Sequence, residues 1–288
     1  MLDKKIAFIG AGTMAEAMIS GLLRQQLAKP ENLNAADPRR ERTDELHERY
    51  GVNPFTDNNE AAAQVDVVVL SVKPQRLTDV LKGLKSAIPQ KALVLSIVAG
   101  APISKISNGL DHKAVVRSMP NTPAQISQGI TVWMASPSVS EAQKEIASKI
   151  LGALGEEVNV DDESYLDMAT ALSGTGPAYV YLFMEAMIDA GVHLGFSRRT
   201  SEQLVVQTIK GAVSYYEINS QKSGIHVAAL RNQVTSPGGT SAEAMYFLEK
   251  AGFRTAISRA IWAAYQRSME LGREKPVHLP EANNGGEK

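Results

Sequence analysis

The string GAGTMA at residues 10–15 follows a β-branched, apolar run at 5–9 and leads into a stretch of helical period at 14–26. A strand that turns on glycines directly into a helix is the opening of a βαβ unit, and this setting gives each small residue a purpose. Gly10 makes the tight turn, Gly12 lets the backbone approach a pyrophosphate, and Ala15 allows the helix to pack closely. The helix start offers unpaired N–H groups and the positive end of the helix dipole, so Gly10, Gly12, Thr13 and Met14 are candidates for holding a dinucleotide. A structural turn without ligand is the bland alternative.

The pattern continues. Short strand-like runs at 33–36, 65–72, 93–98, 115–119 and 130–135, β-branched in all but the first, alternate with helical period at 40–50 and 76–88, where Leu77, Val80, Leu81, Leu84 and Ile88 share one face. Strands alternating with helices imply parallel pairing, right-handed crossovers and helices on both faces, a doubly wound α/β domain. Past 158–160 the period becomes helical throughout. The run AYVYLFMEAMIDAGVHL at 178–194 holds only Glu185 and Asp189 as acids and no Lys or Arg. Such a helix is apolar on nearly every face and needs partners. A helical half confined to 163–272 is too small to surround it, so a second copy of the chain is expected to supply cover. The expected division is a dinucleotide-binding domain at 1–162, a helical dimerisation and substrate-binding domain at 163–272, and a disordered tail at 273–288.

Charge and composition exclude several classes. Thirty Lys and Arg balance 31 Asp and Glu, which leaves no basic field for nucleic acid or an anionic membrane. The absence of Cys removes disulfides, thiolate chemistry and Cys-ligated metals. The five His residues show no ligand-like spacing, so neither a metal nor a catalytic role is assigned to them. No apolar run approaches the ~20 residues of a membrane span, and no signal-peptide core opens the chain, so a cytoplasmic protein is expected.

The end of the second strand should choose the coenzyme. Asp37 stands where an acid binds the ribose 2′-OH of NAD, yet Arg39, Arg40 and Arg42 follow at once and suit a 2′-phosphate. Both readings stay open, as does a solvated helix start. Three loops fall at the carboxyl ends of strands, where ligands bind in such sheets: VKPQ with Val72, Lys73 and Pro74, AGAP with Ala99 and Gly100, and MPNTP with Pro120 and Asn121. Asn121, between two prolines, could aim a polar side chain at an amide.

Two further turns lie in the helical half. SGTGPAY at 173–179 places Ser173 and Thr175 ahead of Pro177, consistent with helix initiation or with ligand binding. TSPGGTSAEAM at 235–245 admits Thr240 as N-cap with Glu243 three residues on, a capping box. Capping does not require Pro-Gly-Gly, however, and a turn without side chains leaves N–H groups open to a carboxylate.

Taken in order, GAGTMA, VKPQ, RSMPNTPA, SGTGPAY and QVTSPGGTSAEAM resemble the pyrroline-5-carboxylate reductase family from Lys5 to about Leu271. The resemblance implies a Rossmann domain on a helical dimerisation domain, with NADPH, or NADH, reducing the cyclic imine 1-pyrroline-5-carboxylate to L-proline in the last step of proline synthesis. It implies dimers that often associate into decamers, and a substrate carboxylate held by the second glycine-rich turn. The substrate-binding candidates are Ser236, Gly238, Gly239, Thr240, Ser241, Ser173 and Thr175. Ser241 and Thr240 are the catalytic candidates, through hydrogen bonds near the imine nitrogen or the carboxylate. Ser241 departs from the family's usual Thr, keeping the hydroxyl and losing the methyl group. Two rivals stand beside this reading. A β-hydroxyacid dehydrogenase would carry a Lys on the long helix after SGTG, and 173–195 has none. A non-catalytic dinucleotide sensor would have no use for a second anion site.

Overall fold

The computed structural model describes residues 2–272. The stretch 273–288, expected from its sequence to be a disordered tail, lies outside the described residues.

The chain alternates strands and helices: β1 (Ile6–Ile9), α1 (Thr13–Arg24), β2 (Leu33–Ala36), α2 (Arg40–Tyr50), β3 (Asn53–Phe55), α3 (Asn58–Ala62), β4 (Val67–Leu70), α4 (Pro74–Leu84), β5 (Leu93–Ser96), α5 (Ile103–Leu110), β6 (Val115–Met119), β7 (Gly129–Ala135), α6 (Glu141–Gly152) and β8 (Gly155–Asn159). Helices follow: α7 (Ser164–Ala169), α8 (Gly176–His193), α9 (Arg198–Ser223), α10 (Val227–Gln233), α11 (Thr240–Lys250) and α12 (Phe253–Gly272). The strands form one sheet in the order β3-β2-β1-β4-β5-β6-β7-β8. From β3 to β6 all neighbours are parallel, with Ile6 opposite Val67 and Val67 opposite Leu93.

One expectation is corrected here. β7 runs antiparallel to β6, with β8 parallel to β7, so the last two strands reverse the direction of the rest. A parallel neighbour needs a crossover of a dozen or more residues. Only residues 120–128, with a 3₁₀ turn at Thr122–Ile126 and Ser127 left-handed at φ 55°, join β6 to β7. The chain therefore folds straight back.

Strand side chains point alternately to the two faces, which divides the core. Ile6, Phe8, Val67, Val69 and Leu95 pack with Met18 and Leu22 of α1 and Leu151 of α6. Ala7, Ile9, Val68, Leu70 and Val94 pack with Leu77 and Leu84 of α4 and Ile106 of α5. Both faces of the central strands are covered, which explains their unbroken apolar runs.

Two compact units result. The first holds the described residues up to Thr170 and those from Tyr265 on; the second is Ala171–Ala264. Thus α7 and the last turns of α12 belong with the sheet. Within the second unit α8 packs on α9, where Gly191 lets the Ser201 hydroxyl approach: a Cβ on Gly191 would lie 2.7 Å from Ser201 Oγ. No residue of α8 is buried within this chain, and Leu182 is 67% exposed.

Candidate functional site

At the end of β1 the chain turns on Gly10, whose φ of +96° favours glycine. Space forbids a side chain as well, because a Cβ there would sit 2.8 Å from Val72 Cγ1 and 2.9 Å from the Ser71 carbonyl oxygen. The polar backbone groups of this turn can be accounted for one by one. Gly10 N–H donates to the Ala36 carbonyl (2.9 Å), and the Ser71 hydroxyl donates to the Gly10 carbonyl (2.7 Å). Arg42 Nε donates to the Ala11 carbonyl (2.7 Å), and Glu16 N–H closes the first helical bond to the Gly12 carbonyl (3.0 Å). Among the described residues nothing accepts from the N–H groups of Gly12, Thr13, Met14 or Ala15. Gly12 is the N-cap of α1 and has nothing within 4 Å of where its Cβ would be. Open space before four unpaired donors at a helix start fits a pyrophosphate.

A cleft of about 810 Å³ lies in front of this turn, lined by Gly10, Gly12, Asp37, Arg39, Val72 and Lys73 among others. Those six were all marked as coenzyme candidates by sequence. Asp37 is buried and bound by Arg39 through the backbone N–H (3.1 Å), Nε (2.9 Å) and Nη2 (3.3 Å). Burial works to raise the Asp37 carboxyl, but the hydrogen bonds and charge of Arg39, with the Ala11 N–H, outweigh it and hold the group below the ordinary carboxylate range. Arg40 turns outward to Asp44 (3.5 Å) and does not line the cleft. Arg42 is held at the back of the turn.

The other candidates fall as follows. Thr13 is exposed at the first position of α1, while Met14 packs partly on the core. Pro74 starts α4 with Lys73 as N-cap, both exposed. Ala99 is half-buried, and Gly100, at φ +67°, is buried against the end of α12, where a Cβ would meet Leu271 Cβ at 3.1 Å. Pro120 and Asn121 are buried, and Asn121 Oδ1 accepts the Ile130 N–H at 3.0 Å, which ties the loop to β7. Thr56, Asp57, Asn58, Asn59 and Arg76 also line the cleft, and sequence reading missed them. Their signal was Asp57, which caps α3 by accepting the Asn59 N–H at 2.7 Å.

The second glycine-rich turn precedes α11. Gly238 is left-handed at φ +71°, and Gly239 is the N-cap, extended at φ −85°, with its N–H donating to the Ser236 carbonyl (3.0 Å). The capping box expected at Thr240 is therefore absent. The left-handed Gly238 turn lets the helix start one residue early, so Thr240 is the first helical residue and no side chain caps α11. Among the described residues the N–H groups of Thr240, Ser241 and Ala242 have no acceptor. Ser236, Gly238 and Thr240 are exposed; Gly239 and Ser241 are half-buried. Ser173 lies in a π-helical turn, Thr170–Gly174, and Thr175 is the N-cap of α8 without capping it through its side chain. The Tyr179 hydroxyl donates to the Ala171 carbonyl (3.1 Å) and fastens that turn to α8. Single π-turns are unusual and cluster at functional sites.

Among the described residues no helix is long and apolar enough to cross a membrane.

Known proteins share this plan. A family model described as pyrroline-5-carboxylate reductase dimerisation matches residues 163–271, and one described as NADP oxidoreductase, coenzyme F420-dependent, matches residues 5–100. The chain is 42% identical to the pyrroline-5-carboxylate reductase of Pseudomonas aeruginosa over 275 residues, covering 95% of this chain and 99% of that one. The structure of a pyrroline-5-carboxylate reductase from Coxiella burnetii superposes with a TM-score of 0.85 at 35% identity, covering 94% of this chain and 99% of that one. The pyrroline carboxylate reductase of Plasmodium falciparum, solved with NADP bound, also gives 0.85 at 35% identity, over 95% of this chain and 100% of that one. With both glycine-rich turns opening helices as the motifs require and this likeness running nearly end to end, the chain belongs to the pyrroline-5-carboxylate reductase family.

Proposed function

We propose that the chain reduces 1-pyrroline-5-carboxylate to L-proline with NADPH, NADH also serving, as the closing step of proline synthesis. The observation that carries this reading is the 42% identity with the Pseudomonas aeruginosa enzyme over 95% of the chain. A bound nicotinamide would supply a hydride to the imine carbon, C2 of the pyrroline ring and the CH2 beside nitrogen in the proline formed, and a protonated imine accepts it without a nucleophile or metal. What remains for the protein is orientation and exclusion of misplaced substrate. Gly12, Thr13 and Met14 hold the pyrophosphate through their N–H groups, Asp37 and Arg39 face the adenosine ribose, and the bare turn at Gly238 and Gly239 seats the substrate carboxylate on the N–H groups of Thr240, Ser241 and Ala242. The hydroxyls of Ser241 and Thr240 hydrogen-bond to the substrate, with Ser236, Ser173 and Thr175 beside them. Residues 1–162 and 163–272 serve as the coenzyme and the dimerisation domains, in a cytoplasmic enzyme with no nucleic-acid partner. Oxidation of NADPH on adding 1-pyrroline-5-carboxylate, followed at 340 nm with proline identified as product, tests the reading; no oxidation would end it.

Coenzyme choice follows from one ion pair. Asp37 accepts from a ribose 2′-OH, whereas a 2′-phosphate must share Arg39 with Asp37. A modest NADPH preference is expected in the wild type, and Asp37→Ser should raise the NADPH to NADH ratio of kcat/KM by about tenfold, the worth of one charge-assisted hydrogen bond. A wild type favouring NADH by about tenfold or more would reverse the assignment.

The unburied α8 calls for a second copy. The building unit is a dimer through 163–271, with a decamer as the higher assembly. Sedimentation should find a dimer or a multiple of it at micromolar concentration, and an active, folded monomer would defeat the expectation.

A further inference from the structure

Arg42 was one of three arginines whose sequence position suits a 2′-phosphate, but its guanidinium is already committed. Its side chain is only 16% exposed, Nε donates to the Ala11 carbonyl at 2.7 Å, Nη1 to Glu45 at 2.7 Å, and Nη2 to Glu16 on α1. Glu16 is held in turn by Arg49 and by the Tyr50 hydroxyl (2.9 Å). Swinging Arg42 into the cleft would break all three of its bonds at once.

The bond to Ala11 has a geometric consequence. The peptide linking Ala11 to Gly12 is planar and trans, so its C=O and its N–H point in opposite directions. Fixing the Ala11 oxygen on Arg42, behind the turn, aims the Gly12 N–H the other way. Gly12 lines the cleft and Arg42 does not. We propose that Arg42 is a positioning residue for the coenzyme's pyrophosphate, setting the rotation of the Ala11–Gly12 peptide so that the Gly12 N–H faces the cleft. This rests on the coenzyme reading above.

The pyrophosphate is common to NADPH and NADH, and adenosine 2′-monophosphate lacks it. Full-length wild type, Arg42→Met and Arg49→Met are titrated with all three nucleotides, with thermal melts recorded alongside. Arg49→Met is the control, since it removes a Glu16 partner and leaves Ala11 untouched. Arg42→Met should weaken NADPH and NADH equally, by about tenfold for one misdirected donor, and leave adenosine 2′-monophosphate unchanged. Arg49→Met should bind all three as the wild type does. If Arg42→Met does not fold, Arg42→Gln, whose amide nitrogen stands where Nε did and can still donate to the Ala11 carbonyl while the Glu16 and Glu45 pairs are lost, should bind all three nucleotides as the wild type does, and a tenfold loss of both dinucleotides in it would overturn the proposal. Loss of NADPH and adenosine 2′-monophosphate affinity with NADH spared would overturn the proposal by placing Arg42 on the 2′-phosphate. A lowered melting temperature with unchanged affinities would overturn it by making Arg42 purely structural. A wild type that binds neither dinucleotide would remove the coenzyme reading and this inference together; equal affinities in wild type and variant would remove the inference alone.

Discussion

1-Pyrroline, which lacks the carboxylate, is expected to be reduced with a kcat/KM ten- to a hundredfold below that of 1-pyrroline-5-carboxylate for each hydrogen bond lost. At the start of α11 the N–H groups of Thr240, Ser241 and Ala242 have no acceptor among the described residues, and the helix dipole favours negative charge there. A charge-assisted hydrogen bond is worth about 1.5 to 3 kcal/mol, which sets the expected loss. Gly239→Val tests the turn itself. Gly239 is extended, at φ −85° and ψ 169°, so valine's backbone can adopt its conformation, whereas Gly238 at φ +71° would be strained by any side chain. A Cβ at 239 lies 3.1 Å from the Ser236 carbonyl oxygen, a tight fit that presses on the carboxylate seat. The variant should lose at least tenfold in kcat/KM while binding NADPH, read by nucleotide fluorescence, as the wild type does. Equal efficiency on the two imines would remove the carboxylate from the argument, and an unimpaired Gly239→Val enzyme would remove the turn.

Arg117→Met should destabilise the first unit by about 2 kcal/mol, below the ~3 kcal/mol or more of breaking a fully buried pair, because the two carboxylates it leaves without their partner are half-buried. Arg117 sits on β6, 4% exposed, paired with Glu163 at 2.9 Å and Asp167 at 3.1 Å. Glu163 also accepts the Ile103 N–H (2.7 Å), and Asp167 accepts from the Ser268 hydroxyl of α12 (2.9 Å). One guanidinium thus ties the sheet to α7, whose neighbour on Asp167 is the last helix. The two carboxylate side chains remain 31% and 21% exposed, so water limits the loss. Equilibrium denaturation in urea measures it. A change below about 0.5 kcal/mol, the ordinary range of surface substitutions, would show that the pairs contribute specificity of packing and no net stability.

The elements that sequence reading located are those with a strong local signal. β2, α2 and β6 have the ends expected of them, because the apolar or helical-period stretch stops sharply in each, at Asp37, Gly51 and Pro120. β3 went unseen because Asn53 and Pro54 are poor strand residues, tolerated only at the sheet edge it occupies. With β3 unseen, Asn58 and Asn59 had no strand end to mark them as cleft residues. α6 was overlooked although its capping box, Ser140 with Gln143, was there to be read.

The sequence by itself determined where the backbone must be bare. Gly10, Gly12, Gly238 and Gly239 stand at strand-to-helix or loop-to-helix turns, and local chemistry alone makes such turns donors for anions. It could not tell which charges around those turns were available. Arg39, Arg40 and Arg42 look alike in a string, yet one grips Asp37 in the cleft, one pairs outward with Asp44, and one is locked behind the glycine turn by Glu16, Glu45 and the Ala11 carbonyl. Asn121 likewise reads from the string as a polar side chain for a ligand, and only the fold shows its oxygen tied to the Ile130 N–H. Only the tertiary structure decided these assignments, because a charged or amide side chain goes to whichever partner the packed elements bring within about 3 Å, and those partners come from distant parts of the chain.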